Sequence, residues 1–246
     1  MPASPATLAR LQQQLQRLCG GHMHAGVLAF GVKEIDAQLP GGGLALGALH
    51  EATDGGHGAA AALFAAGIAA RTQGQVLWCL TQPDLFAPAL SQAGLKADRI
   101  IHVEASDEKA VLACAEEGLR HGGLGAVIAE TGKFSMMASR RLQLAAEGSG
   151  TLALVIRRWK RDRNAAEFDQ PTAAVTRWRV TPAPSTPLPV PGLGRPLWKL
   201  ELVRARGGQR AEFIVEACDD KGRLALPTAL AYRSGQGETG TWRAAS

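Results

Sequence analysis

The residues with the clearest chemical potential form the turn Asp54-Gly55-Gly56-His57-Gly58-Ala59-Ala60-Ala61, between an apolar stretch and an alanine-rich one. Glycines in a strand-to-helix turn let backbone N–H groups close around a phosphate, and the helix N-terminus adds a favourable partial charge. A nucleotide-hydrolysing loop needs two further groups. A lysine must reach the terminal phosphates, and a serine or threonine hydroxyl must hold the magnesium ion. With the usual loop length those two positions are Ala60 and Ala61, and neither can serve. Asp54 adds negative charge where phosphates would approach, and His57 reads as a solvated side chain. The loop is a degenerate cradle: we expect a plain glycine turn with no bound cofactor, in a chain that is not an enzyme.

Metal and thiol chemistry find little support. Cys19, Cys79, Cys114 and Cys218 are scattered without a C-x-x-C pair, and Cys79 and Cys114 stand in apolar surroundings as core fillers. His22 and His24 lie beside Gly20 and Gly21, which favours a solvated loop over a metal site. The strongest charge signal is elsewhere. Arg157 to Arg210 holds twelve Lys/Arg against four Asp/Glu, while the whole chain carries only +5. Within it Arg157, Arg158, Lys160, Arg161 and Arg163 surround Trp159, a pattern suited to single-stranded DNA, where phosphates set affinity and bases stack on aromatics. A solvated charged loop would look the same.

These groups are positioned by elements that alternate. Strand patterns at Leu44–Ala52, Gln75–Leu80, Ile100–Glu104, Gly125–Ala129 and Thr151–Ile156 are separated by helical patterns. Those fall at Ala59–Arg71, Asp84–Ala93 (opened by an Asp cap), Asp107–Arg120 (capped by Ser106) and Ser135–Glu147. Repeated βαβ units predict an α/β fold with a mainly parallel sheet and helices on both faces. Leu8, Leu11, Leu15 and Leu18 mark one face of an N-terminal amphipathic helix over residues 1–24, a candidate partner-docking element. The core spans residues 25–182. A connector at 183–196 follows, in a stretch where Pro182, Pro184, Pro187, Pro189 and Pro191 forbid a helix or central strand. A β-rich extension at 197–233 pairs Leu197–Arg204 with Glu212–Ala217, and the small, polar residues 234–246 read as a disordered tail. The connector suggests that the extension is semi-independent. Trp178 and Trp198 are expected in the core, with Trp198 also a candidate partner anchor. The chain has no apolar run of membrane-spanning length and no basic-then-apolar start, which points to the cytoplasm.

The order of features resembles the RecA family of recombinase cores. Phe30 to Ala52, FGVKEIDAQLPGGGLALGALHEA, is similar to the RecA-type approach to the first core strand, and Ala126 to Glu130 to the strand bearing the magnesium acid. The resemblance places Glu130 at that acid and Gln82, which cannot act as a base, at the catalytic glutamate. It also turns two loops toward DNA: Thr131–Arg141, with Lys133, Arg140 and Arg141 as weaker candidates, and Arg157–Pro171. A closer likeness, over about residues 25–232, is to the ImuA family of RecA-like proteins. It rests on the order and spacing of LPGGGLALGALHE (Leu39–Glu51), LALVIRRW (Leu152–Trp159), TAAVTRWRVTPAPS (Thr172–Ser185) and PLWKLELVRARGG (Pro196–Gly208). It implies a damage-inducible mutagenesis role beside an ImuB-type polymerase-like protein. RecA and an error-prone DnaE-type polymerase are further candidate partners, and single-stranded DNA a candidate ligand. Two other readings compete. One is a SulA-type division inhibitor binding FtsZ, which needs no basic loop. The other is an ATPase using Lys133 in place of the missing lysine, which Ala61 and Gln82 oppose.

Overall fold

The computed structural model describes residues 26–54, 59–158, 168, 170–185, 192 and 194–227. The helix marked by Leu8, Leu11, Leu15 and Leu18 and the C-terminal tail lie outside these residues. An eight-stranded sheet runs in the order β10-β9-β8-β3-β7-β6-β4-β5. Its strands are β3 (Leu49–Thr53), β4 (Val76–Leu80), β5 (Ile100–Glu104), β6 (Ala126–Thr131), β7 (Leu152–Arg157), β8 (Thr176–Ala183), β9 (Leu197–Ala205) and β10 (Ala211–Glu216). Neighbours from β8 to β5 are parallel, while β8-β9-β10 form an antiparallel meander. Every residue of β3, β4, β6 and β7 is buried. Strands covered on both faces need apolar side chains in both directions, which is why β4 and β7 read as continuous runs, while β3 buries His50, Glu51 and Thr53.

Alternation assigns each side chain a face. Leu152, Leu154 and Ile156 of β7 join Trp78, Ile128, Trp178 and Trp198 against helix α2 (Ala60–Ala70). Phe64 of that helix lies 5.8 Å from Trp178 and 6.5 Å from Trp198, ring centre to ring centre. On the other face Ala153 and Val155 pack with Leu77, Cys79 and Val127 under α4 (Glu108–His121) and α5 (Met136–Ser149). Ser135 caps α5 by accepting from the Ala138 N–H at 3.2 Å. The short helices α1 (Lys33–Asp36) and α3 (Ala87–Gln92) complete the set.

The structure corrects four local expectations. Leu44–Ala52 is not one strand: the chain turns at Gly47 (φ 64°), and β2 (Leu44–Ala45) pairs instead with β1 (Val27–Leu28) in a separate ribbon. α3 starts after Phe86 with a proline in its first turn, and Asp84 does not cap it but bonds to Arg158. α4 is capped by Asp107, whose Oδ1 accepts from the Ala110 N–H at 2.8 Å, and not by Ser106. Nor is the β-rich end semi-independent. β9 pairs along β8 from Ala183 back to Thr176, and Trp198, Leu200, Leu202 and Val215 enter the same core as Phe64. Pro182 is tolerated inside β8 because β3 pairs only as far as Arg179, leaving that edge of the strand without a ladder partner.

Candidate functional site

In sheets of this class ligands gather at the carboxyl ends of the parallel strands. Here β3 ends at Thr53 and buried Asp54, and the chain re-enters at Ala59, with Gly55 to Gly58 outside the described residues. Ala60 and Ala61 are the first two residues of α2 and are buried, so their methyl groups fill core where a lysine and a hydroxyl would have to project.

Beside this turn, β6 delivers Glu130. Its side chain is 4 % exposed and both oxygens are engaged. Trp78 Nε1–H, from β4, donates to Oε1 at 2.8 Å, and Arg158 Nη1 donates to Oε2 at 2.6 Å. The Arg158 guanidinium also grips Asp84 with two parallel bonds of 2.7 Å. Asp84 sits in the loop after β4, two residues past the exposed Gln82. A planar fork on a carboxylate is the strongest of the common ion-pair geometries. It holds the Asp84 carboxyl below its ordinary range, and hydrogen bonding to Asp84 together with Glu130 raises Arg158 above its own. The acid expected to serve a magnesium ion is thus neutralised from within the chain.

A second cluster is fully enclosed. Glu51 of β3 pairs through Oε1 with Arg157 Nη1 at 3.0 Å and through Oε2 with Arg177 Nε at 2.9 Å, and Thr172 Oγ1 donates to Oε2 at 2.6 Å. Arg157 further donates to the Gly132 carbonyl through Nη2 at 2.8 Å, and Arg177 lies flat on Phe168 with its central carbon 4.4 Å from the ring centre. Register explains the meeting: Glu51 is directly opposite Arg177, and Thr53 opposite Arg157.

The basic run is therefore divided. Arg157, read as a DNA contact, is 1 % exposed and belongs to the Glu51 cluster, because β7 extends one residue past Ile156 and is covered on both faces. Arg158 is 39 % exposed and committed to Asp84 and Glu130. Trp159, Lys160, Arg161 and Arg163 lie outside the described residues, as does His57. Trp198 is not an exposed anchor; it is 4 % exposed against Phe64, in the core where it was expected with Trp178. Lys133 does not face the loop at Asp54. Its N–H and that of Gly132 donate to the Glu108 carboxylate, and its side chain lines a cavity between α4 and α5. Arg141 pairs with Glu116. Sequence reasoning missed Glu51, Thr172 and Arg177, although a Glu in the first core strand and an Arg flanking Trp178 in strand alternation are the signal that would find two of them. Among the described residues no three His, Cys, Asp or Glu side chains gather as a metal site, and no helix is long and apolar enough to cross a membrane.

No family model matches the chain. The RadB recombinase crystal structure superposes on 81 % of this chain and 99 % of its own, with a TM-score of 0.54 at 18 % identity, which shows a RecA-like fold. Two curated relatives, each named Protein ImuA, come from Caulobacter vibrioides strains NA1000 / CB15N and ATCC 19089 / CIP 103742 / CB 15. Each is 41 % identical over 203 residues, covering 78 % of this chain and 83 % of the relative. At that identity and over that share of both chains, the chain belongs to the ImuA family.

Proposed function

We propose that this protein is a non-catalytic accessory factor of damage-induced translesion synthesis and mutagenesis. It acts by partnership with an ImuB-type polymerase-like protein, with RecA and an error-prone DnaE-type polymerase as further partners, and by weak binding of single-stranded DNA. The observation that carries the non-catalytic part is the Arg158 clamp. A magnesium-binding acid must keep an oxygen open toward the metal. Both oxygens of Glu130 are taken by Trp78 and Arg158, and the turn below offers alanines for the lysine and the hydroxyl. Membership of the ImuA family supports the assignment to the mutagenesis cassette.

The test uses the full chain. Binding of magnesium-ATP is measured by calorimetry, and binding of a fluorescent single-stranded oligonucleotide at two salt concentrations. A variant with alanine at Lys160, Arg161 and Arg163 is run alongside, leaving the buried Arg157 intact. Expected are no nucleotide binding, salt-sensitive DNA binding that weakens in the variant, and co-purification with an ImuB-type partner. Magnesium-dependent ATP turnover would overturn the non-catalytic reading. Failure to associate with the partner would overturn the accessory role.

A further inference from the structure

A cavity of about 460 Å³ opens beside β8 and β9, lined by Pro171, Arg177, Val203, Arg204, Ala205, Gly208 and Arg210. Arg177 and Arg204 are directly paired across the two strands, at the point where a bulge lets Val203 slip out of register. Three arginines from two strands and the turn after them thus line one hollow.

Arg177 is the unusual member. Its side chain is 5 % exposed, and Nη2 and the Nε–H have no hydrogen-bond partner, although Nε makes its ionic approach to Glu51. A buried N–H without an acceptor costs about 1–3 kcal/mol, so Nη2 is a donor that an anion or a water entering the hollow would satisfy. Glu51 cannot neutralise the site, because Arg157 already shares it. Burial lowers the Arg177 pKa from its ordinary value, and nearby Arg157 and Arg204 depress it further. On the rim, Arg204 uses one N–H on the Thr172 carbonyl at 3.1 Å, and Arg210 makes no ion pair among the described residues.

We propose that this hollow is a phosphate-binding site, taking the backbone or terminal phosphate of a single-stranded nucleic acid. The geometry favours phosphate over carboxylate. One guanidinium fork satisfies the two oxygens of a planar carboxylate, whereas three arginines lining one hollow from two strands and a turn offer donors for the oxygens of a tetrahedral anion. The site lies away from the degenerate turn at Asp54. It deepens the proposed binding of single-stranded DNA and rests on that reading, while the phosphate melting test, which uses no oligonucleotide, fails or succeeds separately from it.

Two measurements on the full chain test it. The first is the melting temperature in sodium phosphate against sodium chloride at matched ionic strength. The second is anisotropy of a labelled single-stranded oligonucleotide, with and without a terminal phosphate, at several salt concentrations. Arg204→Ala with Arg210→Ala removes the rim at the cost of the Arg204 bond to the Thr172 carbonyl but leaves Glu51, Arg157 and Arg177 in place, and circular dichroism together with a cooperative melt in chloride confirms its fold. Expected are a phosphate-specific rise in melting temperature in the wild type that the double variant loses. Oligonucleotide affinity should also fall roughly tenfold, with the salt slope reduced by about 1, as removal of one to two phosphate contacts requires. A terminal phosphate that binds where an unphosphorylated strand does not identifies an end group as the source; equal binding identifies the backbone. The site is overturned if the folded double variant keeps both phosphate stabilisation and oligonucleotide affinity. It is equally overturned if an oligoglutamate peptide binds through Arg204 and Arg210 while phosphate fails to displace it.

Discussion

Arg157 and Arg158 are neighbours in one basic run, yet each ends in a different electrostatic world. Arg157 enters a dry cluster with Glu51, where the paired side chains are 1 % and 0 % exposed. Arg158 bridges Glu130, 4 % exposed, to Asp84, 48 % exposed, at the mouth of the sheet. The first pair has lost its water and relies on complete pairing; the second keeps one side in solvent, where attraction is weakened and salt screens it. The lesson is that charge density along a sequence says little about surface charge when a strand passes through it. In a strand covered on both faces, every residue goes inward, and Arg157 is the last residue of such a strand.

The largest expected effect comes from breaking the dry cluster. Arg157→Ala removes charge-assisted bonds to Glu51 and to the Gly132 carbonyl and leaves a buried void, which together should cost about 3–5 kcal/mol. Urea unfolding followed by circular dichroism measures it, and the loss should be the same at low and high salt. A loss below about 1 kcal/mol would mean that Arg177 alone can carry Glu51, and the contrast between the two clusters would dissolve.

Much of the fold was legible because it depends on features a sequence displays directly. Ile100–Glu104 is a strand in both readings, and the runs feeding β4, β6 and β7 are apolar because both faces of the sheet are covered. Ala60 and Ala61 could be read as missing chemistry since the spacing of a phosphate loop is local. The Arg158 clamp was not legible, because it joins β4, β6 and β7 segments separated by 74 and 28 residues, and no local pattern encodes such a meeting. The Glu51 cluster fails for the same reason: Thr172 is 121 residues from Glu51. The supposed semi-independent end was misread because five prolines within ten residues look like a hinge, whereas the first of them, Pro182, already lies in β8 and β8 pairs directly with β9.

A middle-sized effect is expected from opening the clamp. Arg158→Ala leaves Glu130 with only the Trp78 N–H and should cost about 1 kcal/mol, since Arg158 itself is partly solvated. Unlike the Arg157 variant, its deficit against wild type should shrink as salt rises. Calorimetry should still find no magnesium-ATP binding, because freeing the acid does not restore what Ala60 and Ala61 lack. ATP binding gained by Arg158→Ala would instead make the clamp a lock on a working site.

The smallest effect separates the outer arm of the clamp from its inner one. The Asp84 carboxyl is held below its ordinary value by hydrogen bonding to Arg158, so folding favours its ionised form. A depressed carboxyl contributes stability above its unfolded value, near 3.9 for an aspartate, and loses that contribution as pH falls through the folded value. With Asp84 about half exposed, solvent limits the contribution to about 0.5 kcal/mol or less. Melting temperatures of wild type and Asp84→Asn, compared across pH, should therefore differ by a small constant amount at neutral pH and converge below about pH 4. A difference that stays constant into acid would assign the effect to loop packing around Asp84. A difference that grows with falling pH would have the wrong sign for a depressed carboxyl and would place the weight of the clamp on Glu130 alone.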